Sequence, residues 1–196
     1  MRRLRRHPPD AYWFVTTRCT REEYRLTPDP LRVAAFERRL RRALELHPGI
    51  VVFRVVQMSN HLHLVLLDGP GELSGFMRDF LGPLSKDINE IDGLKGSLFQ
   101  RRYSASEILD EAALADRIAY TEMNPVLAGL VDTLEEWPGV LLGPISAATL
   151  DETGEEEEEP DDESTRLYDE LFALVEARVA RMKDGRAPGG SLGVAS

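Results

Sequence analysis

The sequence predicts an α+β domain, an antiparallel sheet with helices packed on it in the order β-α-β-β-α-β-α, of ferredoxin-like or RRM-like type. Three observations lead there. Short runs rich in aromatic and β-branched residues read as strands, stretches between them repeat apolar residues at helical spacing, and two of the runs are joined by a turn of only three residues, Met58-Ser59-Asn60.

Residues 11–20 (AYWFVTTRCT) form the first expected strand, with Tyr12 and Phe14 on one face. Asp29-Pro30 then supplies a capping carboxylate and a proline whose fixed φ suits the first helical position. Val33, Phe36, Leu40 and Leu44 follow at helical spacing until His47-Pro48-Gly49. Residues 50–57 (IVVFRVVQ) and 61–67 (HLHLVLL) are expected to pair as antiparallel strands. Residues 71–89 read as a helix with Leu73, Phe76, Met77, Phe80, Leu84 and Ile88 on its apolar face, kinked at Gly82-Pro83. A short basic strand or extended segment is expected at 98–104 (LFQRRYS), and a further helix at 110–123 with Leu114, Ile118 and Ala119 facing inward.

Composition divides the 196 residues into a basic arm (1–10), a folded domain (11–148), an acidic linker expected to be disordered (149–163), an amphipathic helix (164–184) and a disordered tail (185–196). The late helix is striped by Leu167, Leu171, Leu174, Val175, Val179 and Met182. A formal net charge of −10 would oppose binding to phosphates, but residues 151–196 hold 14 Asp and Glu against 5 Lys and Arg, so the acidity belongs to the C-terminal part. With Cys19 the lone cysteine, an internal disulfide and a thiolate zinc cluster are excluded, and any metal must sit on His, carboxylate or amide. No run approaches the roughly 18–20 apolar residues of a membrane span, and the start MRRLRRHPP leads into polar sequence. A soluble, cytoplasmic protein without a membrane partner is expected.

Two spacings carry chemistry. His61 and His63, two apart on a strand, point the same way while Leu62 points into the core, so two imidazoles can share one ion; two solvated histidines on a sheet face are the plainer alternative. Tyr120 and Asn124, four apart on a helix, bring a phenol and an amide out on one face. Here the plainer alternative is an amphipathic-helix tyrosine and a helix-ending asparagine before Pro125. A phenol with an ordinary pKa of about 10 is a poor nucleophile at neutral pH unless positive charge stands nearby.

Met58-Ser59-Asn60-His61-Leu62-His63 resembles the Met-Pro-Asn-His-x-His segment of the REP-associated tyrosine transposases, a branch of the single-tyrosine HUH transposases, with Ser59 replacing the usual proline. Tyr120-Thr121-Glu122-Met123-Asn124-Pro125-Val126-Leu127-Ala128-Gly129-Leu130-Val131 is similar to the family's Tyr-Ile-x-x-Asn-Pro-Val-x-Ala-Gly-Leu-Val. Phe99-Gln100-Arg101-Arg102-Tyr103 and Phe14-Val15-Thr16-Thr17-Arg18 resemble its segment just upstream and its first strand, so the likeness runs from about residue 11 to Trp137. Thr121 and Trp137-Pro138-Gly139 depart from the family pattern.

The resemblance implies an HUH fold and a DNA endonuclease and strand transferase. His61, His63 and Asn124 would ligate a divalent cation, Mg²⁺ or Mn²⁺, and Tyr120 would attack DNA to leave a 5′-phosphotyrosine. The implied partner is single-stranded or hairpin DNA. Arg54, Arg101, Arg102 and the arginines Arg2, Arg3, Arg5 and Arg6 are the candidate phosphate contacts. Monomer and homodimer both stay open. Two other readings stand beside this one: a non-catalytic RRM-like module stacking bases on Tyr12, Phe14 and Phe53, and a domesticated HUH nuclease acting on chromosomal repeats.

Overall fold

The computed structural model describes residues 7–100, 102–139, 141–147 and 162–184. Arg2, Arg3, Arg5, Arg6 and Arg101, the expected linker up to residue 161 and the expected tail lie outside the described residues. The elements are β1 (Ala11–Arg18), α1 (Pro30–Leu46), β2 (Ile50–Gln57), β3 (His61–Asp68), α2 (Leu73–Asp92), β4 (Ser104–Ile108), α3 (Glu111–Leu127), β5 (Leu141–Leu142) and α4 (Asp162–Lys183). The expected order is observed, followed by a two-residue strand that composition did not announce and by the C-terminal helix, which starts two residues earlier than expected. Among the described residues no helix is long and apolar enough to cross a membrane.

The strands lie in the order β4-β1-β3-β2-β5, every pair antiparallel. That puts the histidine-bearing strand in the middle of the sheet, where a neighbour on each side fixes its backbone. Two cores follow from the two faces. On one, Val15, Leu62, Leu64 and Leu66 meet Phe36 and Leu40 of α1 and Phe76 and Phe80 of α2. On the other, Phe53 and Val65 meet Leu114 and Ile118 of α3 and Val175 of α4, with Leu171, Val179 and Met182 packed alongside. The stripe on α4 is thus mostly turned inward, but Leu174 is exposed.

A bulge in β2 modifies the alternation. Register shifts between Val52 and Arg54, so that Val52 and Val55 both belong to the first core while Phe53 enters the second and Arg54 stands opposite Val65 on that same side. Residues 98–104 are not one strand. Leu98 O accepts from Thr20 N and Gln100 N donates to Arg18 O, which prolongs the pairing beyond β1, and β4 begins only at Ser104.

Helix α3 starts at Asp110, whose carboxylate accepts from Ala113 N at 2.7 Å, and it runs past the expected end at 123 and through Pro125. A proline in the last turn removes only one helical hydrogen bond. The stop is set instead by Gly129 at φ 66°, with Leu130 N donating to Pro125 O and Gly129 N to Val126 O, a Schellman motif. Asn124 therefore sits inside the helix, in register with Tyr120. Helix α2 likewise continues through Gly82-Pro83.

Strand β3 ends on Asp68, which is fully buried and accepts from Glu72 N and Leu73 N, both at 2.8 Å, capping the start of α2. Asp68→Ala strands two buried N–H groups. It is expected to destabilise the protein by about 2–3 kcal/mol, read as a lowered urea midpoint at unchanged slope.

Candidate active site

The register of β1 on β3 sets Thr16 opposite His63 and Arg18 opposite His61, all on the face that carries α3. The turn before His61 is pinned by backbone: Cys19 N donates to Asn60 O at 2.7 Å, Leu26 N to Ser59 O at 2.8 Å, and Met58 N to His61 O at 2.9 Å. Ser59 keeps this geometry without a proline.

Each imidazole is oriented through Nδ1. His61 Nδ1 lies 2.7 Å from Asn60 Oδ1, an acceptor, so Nδ1 carries the proton and Nε2 presents its lone pair. The amide's orientation is consistent, because Asn60 Nδ2 donates to Glu22 O. His63 Nδ1 shares a hydrogen bond of 3.0 Å with Thr16 Oγ1. Among the described residues neither Nε2 has a hydrogen-bond partner, the arrangement by which an outer contact fixes a ring and leaves the other nitrogen for a ligand. The rings lie 4.7 Å apart between centroids and nearly perpendicular.

Burial lowers the pKa of His61 to about 4, with Arg18 adding to the effect. His63, 4% exposed, is lowered to about 3, first by burial and then by the charges of His61, Arg18 and Arg117. Both rings are therefore neutral near pH 7, the form that can donate a lone pair to a cation.

Helix α3 brings Tyr120 to this pair. Its ring centroid is 5.7 Å from that of His63, edge-on at 75°, and 6.1 Å from that of Phe14. Phe14 in turn lies flat against His63, at 5.3 Å and 13°. Asn124, buried at 7% exposure, follows one helical turn after Tyr120. So the tyrosine and both histidines that the sequence singled out meet on one side of the sheet, and the helix that carries Asn124 packs against β2 and β3 there. Among the described residues no group of three His, Cys, Asp or Glu side chains gathers to hold a metal.

The expected phosphate contacts fare differently. Arg102 is exposed just before β4. Arg54 is not a free surface cation: its Nε donates to Glu122 at 3.0 Å, its guanidinium carbon stands 5.1 Å from the Phe172 ring, and its side chain is 19% exposed. The bulge turned it toward α3 and α4, where it ties those helices to β2. The base-stacking alternative also loses its platform, since Phe53 is 3% exposed and Tyr12 and Phe14 pack beside it under α3 and α4. An RRM-like module needs that sheet face open.

Three residues of the site were not singled out from sequence: Thr16, Arg18 and Arg117. Arg117 precedes Tyr120 by three positions on α3, and its guanidinium carbon lies 4.8 Å from the Phe14 ring centroid. The signal for it was present, since residues 117, 120 and 124 share a helical face.

No family model matches the chain, and no curated protein matches it. Among solved structures it is similar to that of the REP-associated tyrosine transposase bound to a REP hairpin, over 70% of this chain and 81% of that one, with 21% identity and a TM-score of 0.57. A Deinococcus radiodurans protein described as a transposase aligns over 57% of this chain and 88% of its own, with 15% identity and a TM-score of 0.40. The chain thus has the α+β fold of the REP-associated tyrosine transposase, the fold that its own motifs implied.

Proposed function

We propose that this protein cuts and rejoins single-stranded or hairpin DNA through a covalent bond to Tyr120. The observation that carries the reading is the meeting of the Tyr120 ring with two neutral imidazoles whose Nε2 atoms are unengaged among the described residues. The solved transposase with this fold is bound to a REP hairpin, which supports DNA of that kind as the partner.

The residues present fit a divalent cation, Mg²⁺ or Mn²⁺, held by His61, His63 and Asn124. Bound there, it would supply Lewis-acid polarisation of a phosphodiester oxygen. The chain's own part is to place the nucleophile. In the cut, the Tyr120 oxygen forms a bond to phosphorus while the bond from phosphorus to the 3′ oxygen breaks, and the phenolic proton ends on the departing 3′ hydroxyl. The 5′-phosphotyrosine conserves the phosphodiester energy, so attack by a later 3′ hydroxyl reseals the strand without a nucleotide cofactor. Phe14 and His63, stacked on each other, both meet the phenol ring edge-on, which limits the orientations it must lose on reaction.

The test is incubation with labelled hairpin oligonucleotides and Mn²⁺ or Mg²⁺, followed by denaturing electrophoresis. A protein–DNA band resistant to denaturation is expected with either cation, absent with EDTA and absent in His61→Ala and His63→Ala. Strand cleavage without such a band would refute the covalent route.

A further inference from the structure

Arg117 is partly buried, and the ion pairs around it do not include it. Among the described residues every other partly buried arginine, Arg25, Arg32, Arg39, Arg54 and Arg178, closes an ion pair with a carboxylate. The carboxylates nearest to it along α3 are both engaged: Asp116 accepts from Arg178 at 2.5 Å and Glu122 from Arg54 at 3.0 Å. What holds Arg117 is the face of Phe14, the ring that also lies against His63. Arg18, exposed and likewise without a carboxylate partner among the described residues, stands across from His61 on the same face.

A partly buried arginine with no carboxylate partner among the described residues leaves its guanidinium open to an anion. The partly buried Arg117 and the exposed Arg18 both stand beside the imidazoles, one on the helix that carries Tyr120 and one on the strand beside β3. A guanidinium presents N–H groups in a planar fork that matches two oxygens of one phosphate. We infer that Arg117, assisted by Arg18, is the anion seat of this site and grips the non-bridging oxygens of the phosphodiester that Tyr120 attacks. The seat itself follows from the unpaired charge; that its occupant is DNA rests on the proposed function.

The experiment measures binding apart from chemistry. Anisotropy of a fluorescein-labelled single-stranded oligonucleotide is followed in EDTA over a range of salt for the full chain and for Arg117→Gln, Arg117→Lys, Arg18→Gln and Arg41→Gln. Arg41 lies exposed on α1, across the sheet. Arg117→Gln is expected to weaken binding about tenfold and to flatten the log–log salt dependence by about 0.7, the contribution of one phosphate on a single strand. Arg117→Lys should retain most of the affinity, Arg18→Gln should show a smaller loss, and Arg41→Gln none. Wild-type affinity and salt slope in Arg117→Gln would overturn the inference. So would an equal loss in the Lys and Gln variants accompanied by a lowered Tm, since that outcome assigns Arg117 to packing on Phe14. Covalent adduct formation is scored separately, so a wild-type protein that binds through Arg117 but never forms an adduct removes the nicking reaction and leaves the seat standing.

Discussion

Phenylalanine in place of Tyr120 is expected to abolish the covalent protein–DNA band while leaving the fold and noncovalent DNA binding intact. The substitution removes one oxygen and nothing else. The ring's edge-on packing against Phe14 and His63 involves carbon atoms that phenylalanine keeps, and the side chain is only partly buried, so the change in stability should stay within about 0.5 kcal/mol. Adduct formation, read on a denaturing gel, should fall to background even at long incubation, while a native gel shift with the same hairpin should match the wild type. A residual adduct in this variant would move the nucleophile to another side chain and with it the proposed reaction. Loss of the gel shift together with the adduct would instead mean that the phenol contributes to holding DNA before chemistry, and the anion seat at Arg117 would then have to be measured in the Tyr120→Phe background.

Helix faces were legible because a helix writes its partner-facing stripe at a period internal to the segment. All six apolar positions expected on α2 are buried, and Phe36, Leu40 and Leu44 of α1 are too. The histidine pair was legible for a similar reason, since a two-residue spacing decides its face without reference to any other strand. What depends on distant partners was not. The register that sets Thr16 against His63 and Arg18 against His61 is fixed by pairing between β1 and β3, segments separated by a helix and a further strand. The bulge at Phe53 reverses the alternation inside a run of β-branched residues that looks uniform, and it alone turns Arg54 from an expected phosphate contact into a partner for Glu122. Helix α3 was expected to stop near its proline because the proline is the louder local signal, yet the left-handed Gly129 ends it. The likeness to a known family supplied what local pattern did not, the grouping of Tyr120 with the histidines. It did not supply Arg117, whose unpaired charge is visible only once the neighbouring carboxylates are seen to be taken.

Val175→Asp should be the most destabilising single change on α4, and comparison with its neighbour tests whether that helix belongs to the catalytic unit. Val175 is 2% exposed in the second core, against Phe53, Val65 and Ile118, whereas Leu174, one position away and rotated by about 100° on the helix, is 38% exposed. A carboxylate at 175 enters an apolar core beside an Arg54 already paired with Glu122, so it must be protonated, drag water inward, compete for that arginine or push α4 off the sheet, at a cost on the order of 3–5 kcal/mol. At 174 the same carboxylate reaches solvent and should change stability by less than about 1 kcal/mol. Urea denaturation of the two variants measures the difference. The consequence for function follows from what α4 holds: Arg178 pairs with Asp116 and Phe172 backs the Arg54–Glu122 pair, so two ties bracket the stretch of α3 that carries Arg117 and Tyr120. If α4 braces the nucleophile, Val175→Asp should lower the rate of adduct formation even under conditions where the domain stays folded by circular dichroism, and Leu174→Asp should not. Equal stability of the two variants would mean that α4 does not dock on this face in solution, and an unchanged adduct rate in a destabilised Val175→Asp would separate its structural role from the positioning of Tyr120.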